Sequence, residues 1–261
     1  MGFDPLAPDW PDLPPKVGAL ASTRGGGASG PPYDDGQGGG GLNLGDHVGD
    51  DAATVARNRA RLAQALPAGP AWLSQVHGVA VADAAAVLRG DAAPVADASI
   101  ASAPGAVCAV MTADCLPVLF ADLEGKVVGA AHAGWRGLAA GVLGQTVAAM
   151  RAAGAGDITA WLGAAIGPAH FEVGAEVLDC FVAGARDGAE AGRVRAAFAP
   201  VPGRADKYFA DIYALARIFL AREGVTRVWG GTHCTVAERA RFYSYRRDGV
   251  TGRQASLVWL R

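Results

Sequence analysis

Residues 106–154 read AVCAVMTADCLPVLFADLEGKVVGAAHAGWRGLAAGVLGQTVAAMRAAG. Apolar runs at 106–111, 118–120 and 126–131 are each too short for a helix and are bounded by Gly, Asp or Pro, so they read as strands. The period then changes. Leu138, Val142, Thr146 and Ala149 recur about every four residues, which predicts a helix over 135–153 closed by Gly154. Working outward toward the N-terminus, short strands fall at 71–73 and 79–82. Before them comes a helix over 55–66, capped by Asp50 or Asp51 and closed by Pro67, and before that a strand at 17–23. Toward the C-terminus, strands are predicted at 158–166, 226–230 and 254–260, and helices at 174–185 and 209–223, the latter ending at Gly224. Strands and helices do not alternate as βαβ units and no repeat is evident, so the fold class is α+β with mixed sheets. A length of 261 residues permits one large domain or two small ones.

Residues 25–46 hold two glycine runs, at 25–27 and 38–41, around Pro31 and Pro32, where backbone entropy opposes regular structure. Loops beyond about 12–15 residues serve as functional covers or as tethers. This one ends in Leu42-Asn43-Leu44-Gly45-Asp46-His47 and reads as a cover. The chain is 51% hydrophobic and 18% charged, a composition that folds. Its 23 Lys plus Arg against 25 Asp plus Glu leave a formal charge of −2, so no summed basic field draws in nucleic acid or anionic lipid. The expected partner is a small molecule. No apolar run approaches the roughly 18 residues of a membrane span. The N-terminus opens with Asp4, Pro5, Pro8 and Asp9 in place of a basic stretch and an apolar run, so no secretory signal is expected. Four irregularly spaced cysteines read as reduced thiols, and the expected location is the cytoplasm.

Three candidates for chemistry stand at element ends. They are His77 in Ser74-Gln75-Val76-His77-Gly78, Cys115 in Thr112-Ala113-Asp114-Cys115-Leu116-Pro117, and His132 in Ala131-His132-Ala133-Gly134-Trp135-Arg136-Gly137. Such positions put side chains at a sheet rim, where sites are usually built. Two imidazoles and a thiolate suit Zn²⁺, and three protein ligands leave the fourth position that a catalytic ion needs. No pair has the short spacing of a strong metal motif, so each residue taken singly reads as an ordinary core or capping residue. Cys108, in a β run, and Cys180, on an amphipathic helix, read as small core hydrophobes. His233 and Cys234 are consecutive and would face opposite sides of a strand, so at most one faces a site. His47 and His170 read as loop residues. Arg24, Arg136, Arg246 and Arg247 lie at loop edges where a guanidinium grips phosphate or carboxylate, although with 20 Arg against three Lys most arginines need no special role. Arg136 stands out, because a helix start beside Gly134 would add backbone N–H groups for an anion.

Together, Ser22-Thr23-Arg24-Gly25-Gly26, Leu42-Asn43-Leu44-Gly45, Gln75-Val76-His77-Gly78, the Cys115 and His132 blocks, Ile166-Gly167-Pro168, Phe171-Glu172-Val173-Gly174 and residues 242–251 resemble the YfiH-type laccase-domain family nearly end to end. The resemblance implies a single α+β domain over residues 1–261, with stacked mixed sheets, helices packed outside, and a core similar to that of cysteine-dependent toxin deamidases. It implies a metal held by His77, Cys115 and His132, with Zn²⁺ as the occupant and Cu²⁺ as an alternative. It also implies a purine nucleoside enzyme that cleaves adenosine, inosine or methylthioadenosine with phosphate and can deaminate adenosine. Action on peptidoglycan precursors is a further possibility within the family. Gln254 stands where Met is frequent, and His233 precedes Cys234 where other residues are common.

A genuine multicopper oxidase needs many histidines for its copper cluster, and five in the whole chain do not supply them. For the zinc reading, the ion activates water or orients a phosphate oxygen, and Asp114 shuttles the proton unless it serves only as a turn-forming carboxylate. Arg24, Arg136 and Asn43 are the expected substrate contacts. The competing mechanism is metal-free, with Cys115 as nucleophile and His132 as its base, hydrolysing an amide.

Overall fold

The computed structural model describes residues 5–90 and 92–261. Asp4, part of the N-terminal reading above, lies outside them. In chain order the elements are β1 (Val17–Ala21), β2 (Gly25–Ser29), α1 (Ala52–Ala63), β3 (Pro70–Ala71), β4 (Val81–Asp83), α2 (Ala84–Arg89), β5 (Ala98–Ala101), β6 (Val107–Thr112), β7 (Leu116–Asp122), β8 (Val128–Ala133), α3 (Trp135–Ala140) and α4 (Val142–Ala152). There follow β9 (Ile158–Leu162), β10 (Glu172–Gly174), α5 (Ala175–Ala183), α6 (Gly188–Ala196), β11 (Phe198–Pro200), β12 (Lys207–Ala210), α7 (Ile212–Arg222), β13 (Arg227–Gly230), α8 (Tyr245–Asp248) and β14 (Gln254–Leu260). The class is α+β with mixed sheets, as the sequence predicts.

Two sheets stack. One runs β1-β14-β6-β3, with β3 parallel to β6 and the other pairs antiparallel. The other runs β13-β9-β7-β8-β5-β4, parallel only at its two edges. Alternation along the strands divides the core into layers. Cys108 and Val110 of β6 meet Leu119 and Ala121 of β7 between the sheets. The opposite face of β6, with Val107, Ala109 and Met111, packs with Leu42, Leu44 and Leu62. The opposite face of β7, with Leu116, Val118 and Phe120, packs under α4 and α7. Residues 113–115 therefore carry the chain from one sheet into the other.

Local differences from the predicted elements have local causes. The helix expected over 135–153 is two helices, because Gly141 takes a left-handed conformation (φ 98°) and breaks the ladder between α3 and α4. Residues 209–210, expected to start a helix, end strand β12 instead, since Asp211 caps α7 by accepting from the Tyr213 and Ala214 amides. Asp51 is the residue that caps α1. The glycine-rich segment folds back on itself through bridges from Gly25 and Ser29 to Gly41, buries Tyr33, Leu42 and Leu44, and brings only its end, at Asp46 and His47, to the cavity described below. Among the described residues no helix is long and apolar enough to cross a membrane.

Candidate functional site

One end of the six-stranded sheet gathers the three predicted ligands. The ladder pairs Ala98 with Ala131 and Leu116 with Ala133, so one step further on Asp97 lies beside His132, and Cys115 beside Gly134. His77 arrives on the turn before β4. The ligand atoms of His77, Cys115 and His132 all lie within 4.8 Å of one another. Cys115 Sγ is 3.6 Å from His77 Nε2, and the two imidazole rings meet edge to face at 4.8 Å. Gly134 makes this approach possible: a Cβ there would sit 2.6 Å from His77 Cδ2 and 3.1 Å from Cys115 Sγ. Two imidazoles and a sulfur at this spacing fit a metal ion in a three-ligand site.

Asp97, which the sequence reading missed, organises the group. Its buried carboxylate accepts His132 Nδ1–H at 2.8 Å, and the backbone amides of Val76, His77 and Gly78 at 3.2, 2.9 and 2.7 Å. The first bond fixes the tautomer of His132 and leaves Nε2 free to ligate, the usual outer support of a metal-bound histidine. The other three hold the turn that carries His77, whose backbone is left-handed (φ 62°). Asp114, next to Cys115, is also left-handed (φ 96°). A non-glycine residue pays for that conformation, and such strain clusters at functional sites.

The electrostatics agree. Burial pushes the Asp97 carboxyl up, but the bonds from His132 and from the Gly78 and Val76 amides outweigh it and hold the group below the usual carboxylate range. Burial likewise opposes ionisation of Cys115, yet the charge and hydrogen bond of His132, with His77, drive the thiol below its ordinary value. His132 moves the opposite way: burial disfavours its cation, and Cys115 and Asp97 more than restore it. The two shifts support each other, a negative Cys115 sulfur favouring the His132 cation and the cation favouring the thiolate.

The triad opens into a cavity of about 750 Å³, lined also by Trp72, Met111, Tyr245, Arg59 and Arg253. Cys115 and Tyr245 also border a smaller, apolar recess of about 150 Å³ with Trp135, Phe171 and Arg246.

The expected substrate contacts lie elsewhere. Arg24 is buried, donates to the Asp34 and Arg239 carbonyls, pairs with the Asp34 carboxylate and lies over Tyr243. Asn43 is fully buried, its amide shared among Gly45, Asp50 and the Arg253 backbone. Arg136 is exposed and stacks on Trp135, outside both cavities. Asp114 accepts from Thr235 Oγ1 at 2.5 Å and from the Arg246 amide at 2.6 Å. These bonds anchor the Cys115 loop to residues 235–246. Arg246 donates to the His170 and Glu172 carbonyls, and Arg247 to Asp248 and the Thr235 carbonyl. Cys108 is buried between the sheets as expected, whereas Cys180 is exposed because α5 buries Val177 and Phe181. His233 turns to Glu238, and Cys234 meets His170.

Comparison with known proteins places this architecture. The profile of the family described as multi-copper polyphenol oxidoreductase laccase matches residues 18–261. A Pseudomonas aeruginosa protein named purine nucleoside phosphorylase is 54% identical over 98% of both chains, and the Escherichia coli purine nucleoside phosphorylase YfiH is 51% identical over the same shares. The crystal structure of a Neisseria meningitidis protein superposes with a TM-score of 0.88 at 48% identity, covering 98% of each chain. That of YlmD from Geobacillus stearothermophilus gives 0.81 at 31% identity, covering 99% of this chain and 98% of the other. With profile, relatives and solved structures all spanning nearly the whole molecule, the chain belongs to the YfiH-type laccase-domain family.

Proposed function

We propose that this protein is a zinc-dependent purine nucleoside phosphorylase that cleaves adenosine, inosine or methylthioadenosine with phosphate and deaminates adenosine at the same centre. The observation that carries this reading is the convergence of two imidazoles and a thiol within 4.8 Å on the wall of a cavity of about 750 Å³. The names of its relatives supply the substrate class. A zinc ion held by His77, Cys115 and His132 supplies Lewis acidity and positive charge when bound, and copper is accommodated by the same donors. Asp97 keeps His132 in the ligating tautomer and holds the His77 turn. Trp72 and Tyr245 place aromatic side chains in the cavity wall, which suits a purine. Protonation of the departing base, or of the departing amine in deamination, draws on the titratable side chains at the cavity rim, His47 and Tyr245.

The test is a product assay with adenosine, inorganic phosphate and protein purified without added metal, in which adenine, ribose 1-phosphate and ammonia are measured separately. Adenine and ribose 1-phosphate are expected, and both disappear on chelation and return with zinc. Turnover that survives complete metal removal sinks this reading.

A second reading has its own observation. Asp97, His132 and Cys115 stand in line as orienter, base and nucleophile, the arrangement of a cysteine hydrolase and of the toxin deamidase core. On that reading the substrate is an amide of a peptidoglycan precursor. Hydrolysis of a nucleotide-linked muramyl amide by metal-stripped protein, abolished in Cys115→Ala, is the result it requires. Under either reading the protein acts in the cytoplasm on a small molecule.

A further inference from the structure

Phosphorolysis needs a holder for the attacking anion, and neither Arg24 nor Arg136 reaches the cavity. We propose that Arg253 is the phosphate-binding residue of this site; the choice of inorganic phosphate as its ligand rests on the phosphorolytic reading. Arg253 immediately precedes β14. Because Gln254 pairs with Thr112 in the β14–β6 ladder, Arg253 lies alongside Ala113, two residues before Cys115, and both line the cavity that the triad faces.

Its placement is fixed from behind. The Arg253 amide donates to Asn43 Oδ1 at 2.9 Å, and Nη1 donates to the Thr251 and Gly252 carbonyls at 3.1 and 3.0 Å. Gly45 leaves room for the stem, since a Cβ there would lie 2.8 Å from Arg253 Cγ. Nε and Nη2 have no partner among the described residues, and no carboxylate pairs with the guanidinium. A half-buried cation whose Nε and Nη2 are both free, in the cavity that Cys115 lines, is the fork that phosphate oxygens match. Arg59, in the same cavity, is already engaged: it lies over Trp72, donates to the Leu44 carbonyl and pairs with Asp46 at 3.2 Å. Asn43 becomes a positioning residue, its Oδ1 taking the Gly45 and Arg253 amides together.

A tetrahedral phosphate reaches such a fork either free or carried on a nucleotide, and the experiment separates the two. Metal-loaded wild type, Arg253→Gln, Arg253→Lys and the exposed-surface control Arg193→Gln are compared in adenosine phosphorolysis at varied phosphate. Calorimetric titrations with inorganic phosphate and with adenosine monophosphate accompany them. Arg253→Gln is expected to raise KM for phosphate by about 10- to 100-fold, the usual loss for hydrogen bonds to a charged group. KM for adenosine, metal content and melting temperature stay near wild type, and phosphate binding by calorimetry falls by the same factor. Arg253→Lys keeps the charge and loses the fork, so phosphate binding weakens severalfold even where the glutamine variant does not fold. Arg193→Gln changes none of these. Phosphate binding that is lost in Arg253→Gln while wild type cleaves no nucleoside supports the anion site and sinks the phosphorolytic reading. Loss confined to adenosine monophosphate overturns the inorganic-phosphate assignment. Equal phosphate binding and equal KM in wild type and both variants overturns the site altogether.

Discussion

Cys115 and Cys234 each have an imidazole within reach of sulfur, His77 Nε2 at 3.6 Å and His170 Nδ1 at 3.4 Å, yet their surroundings differ. Around Cys115 a second imidazole closes the group, a buried carboxylate holds both histidine-bearing segments, and a glycine keeps the approach open. Around Cys234 the adjacent His233 turns to Glu238, at 3.1 Å from both carboxylate oxygens, and the sulfur accepts the Gly167 amide. The same residue types thus yield a convergent centre in one place and a local hydrogen-bond cluster in the other. What separates them is the third donor, and that Asp97 supports a histidine of the convergent group whereas Glu238 supports one outside it.

Substitution at the two sulfurs is the most severe way to break the contrast. Cys115→Ala should abolish zinc retention and nucleoside cleavage, losing more than the roughly 100-fold that removal of an outer partner costs. Cys234→Ala should keep both, as read by metal analysis and product assay. Equal metal content in the two variants would refute the assignment of Cys115 as a ligand. Next in size is Gly134→Ala, whose methyl must push His77 away from Cys115; turnover should fall about 100-fold, the penalty for a displacement near 1 Å at a reacting centre. Gly188→Ala, which meets open space, is the control.

The outer carboxylates give a finer comparison. Asp97→Asn should weaken zinc affinity by about 10- to 100-fold, whereas Glu238→Gln, on the unconvergent histidine, should leave it unchanged in a competition titration with a chelating dye. The smallest effect is read in metal-stripped protein. The Cys115 thiol is held below its ordinary value, so its thiolate persists as pH falls from 8 toward neutrality and is lost only below that lowered value. Iodoacetamide should therefore still label Cys115 rapidly at neutral pH. His132→Gln removes the cation that lowers the thiol and should slow labelling about tenfold for each unit the pKa rises. Unchanged labelling would separate the two residues electrostatically.

The three side chains that converge were legible because each stands where a strand or turn ends, and because a break between two apolar runs marks Cys115. Asp97 carried no such signal: it lies 20 residues after His77 and 35 before His132, and only the pairing of Ala98 with Ala131 brings it to the second imidazole. The signal available was a lone carboxylate directly before the apolar run Ala98-Ser99-Ile100-Ala101. Arg24 and Asn43 stand away from the cavity because conspicuous polar residues in glycine-rich loops also serve to fasten those loops, as their burial shows. Arg253 was hidden for the converse reason, sitting in an unremarkable run whose importance comes from the β14 register. The stretch 135–153 reads as one helix in the sequence because a single left-handed glycine at 141 divides an otherwise continuous apolar stripe.

The crossing of the chain between the two sheets at residues 113–115 has a mechanical corollary. It sets Cys115 at the start of β7, where an ion held with His77 and His132 would pin the turn before β4, β7 and β8 of one layer to each other. Its release would free those three segments from one another, and its occupancy would add the free energy of binding to the stability of the fold.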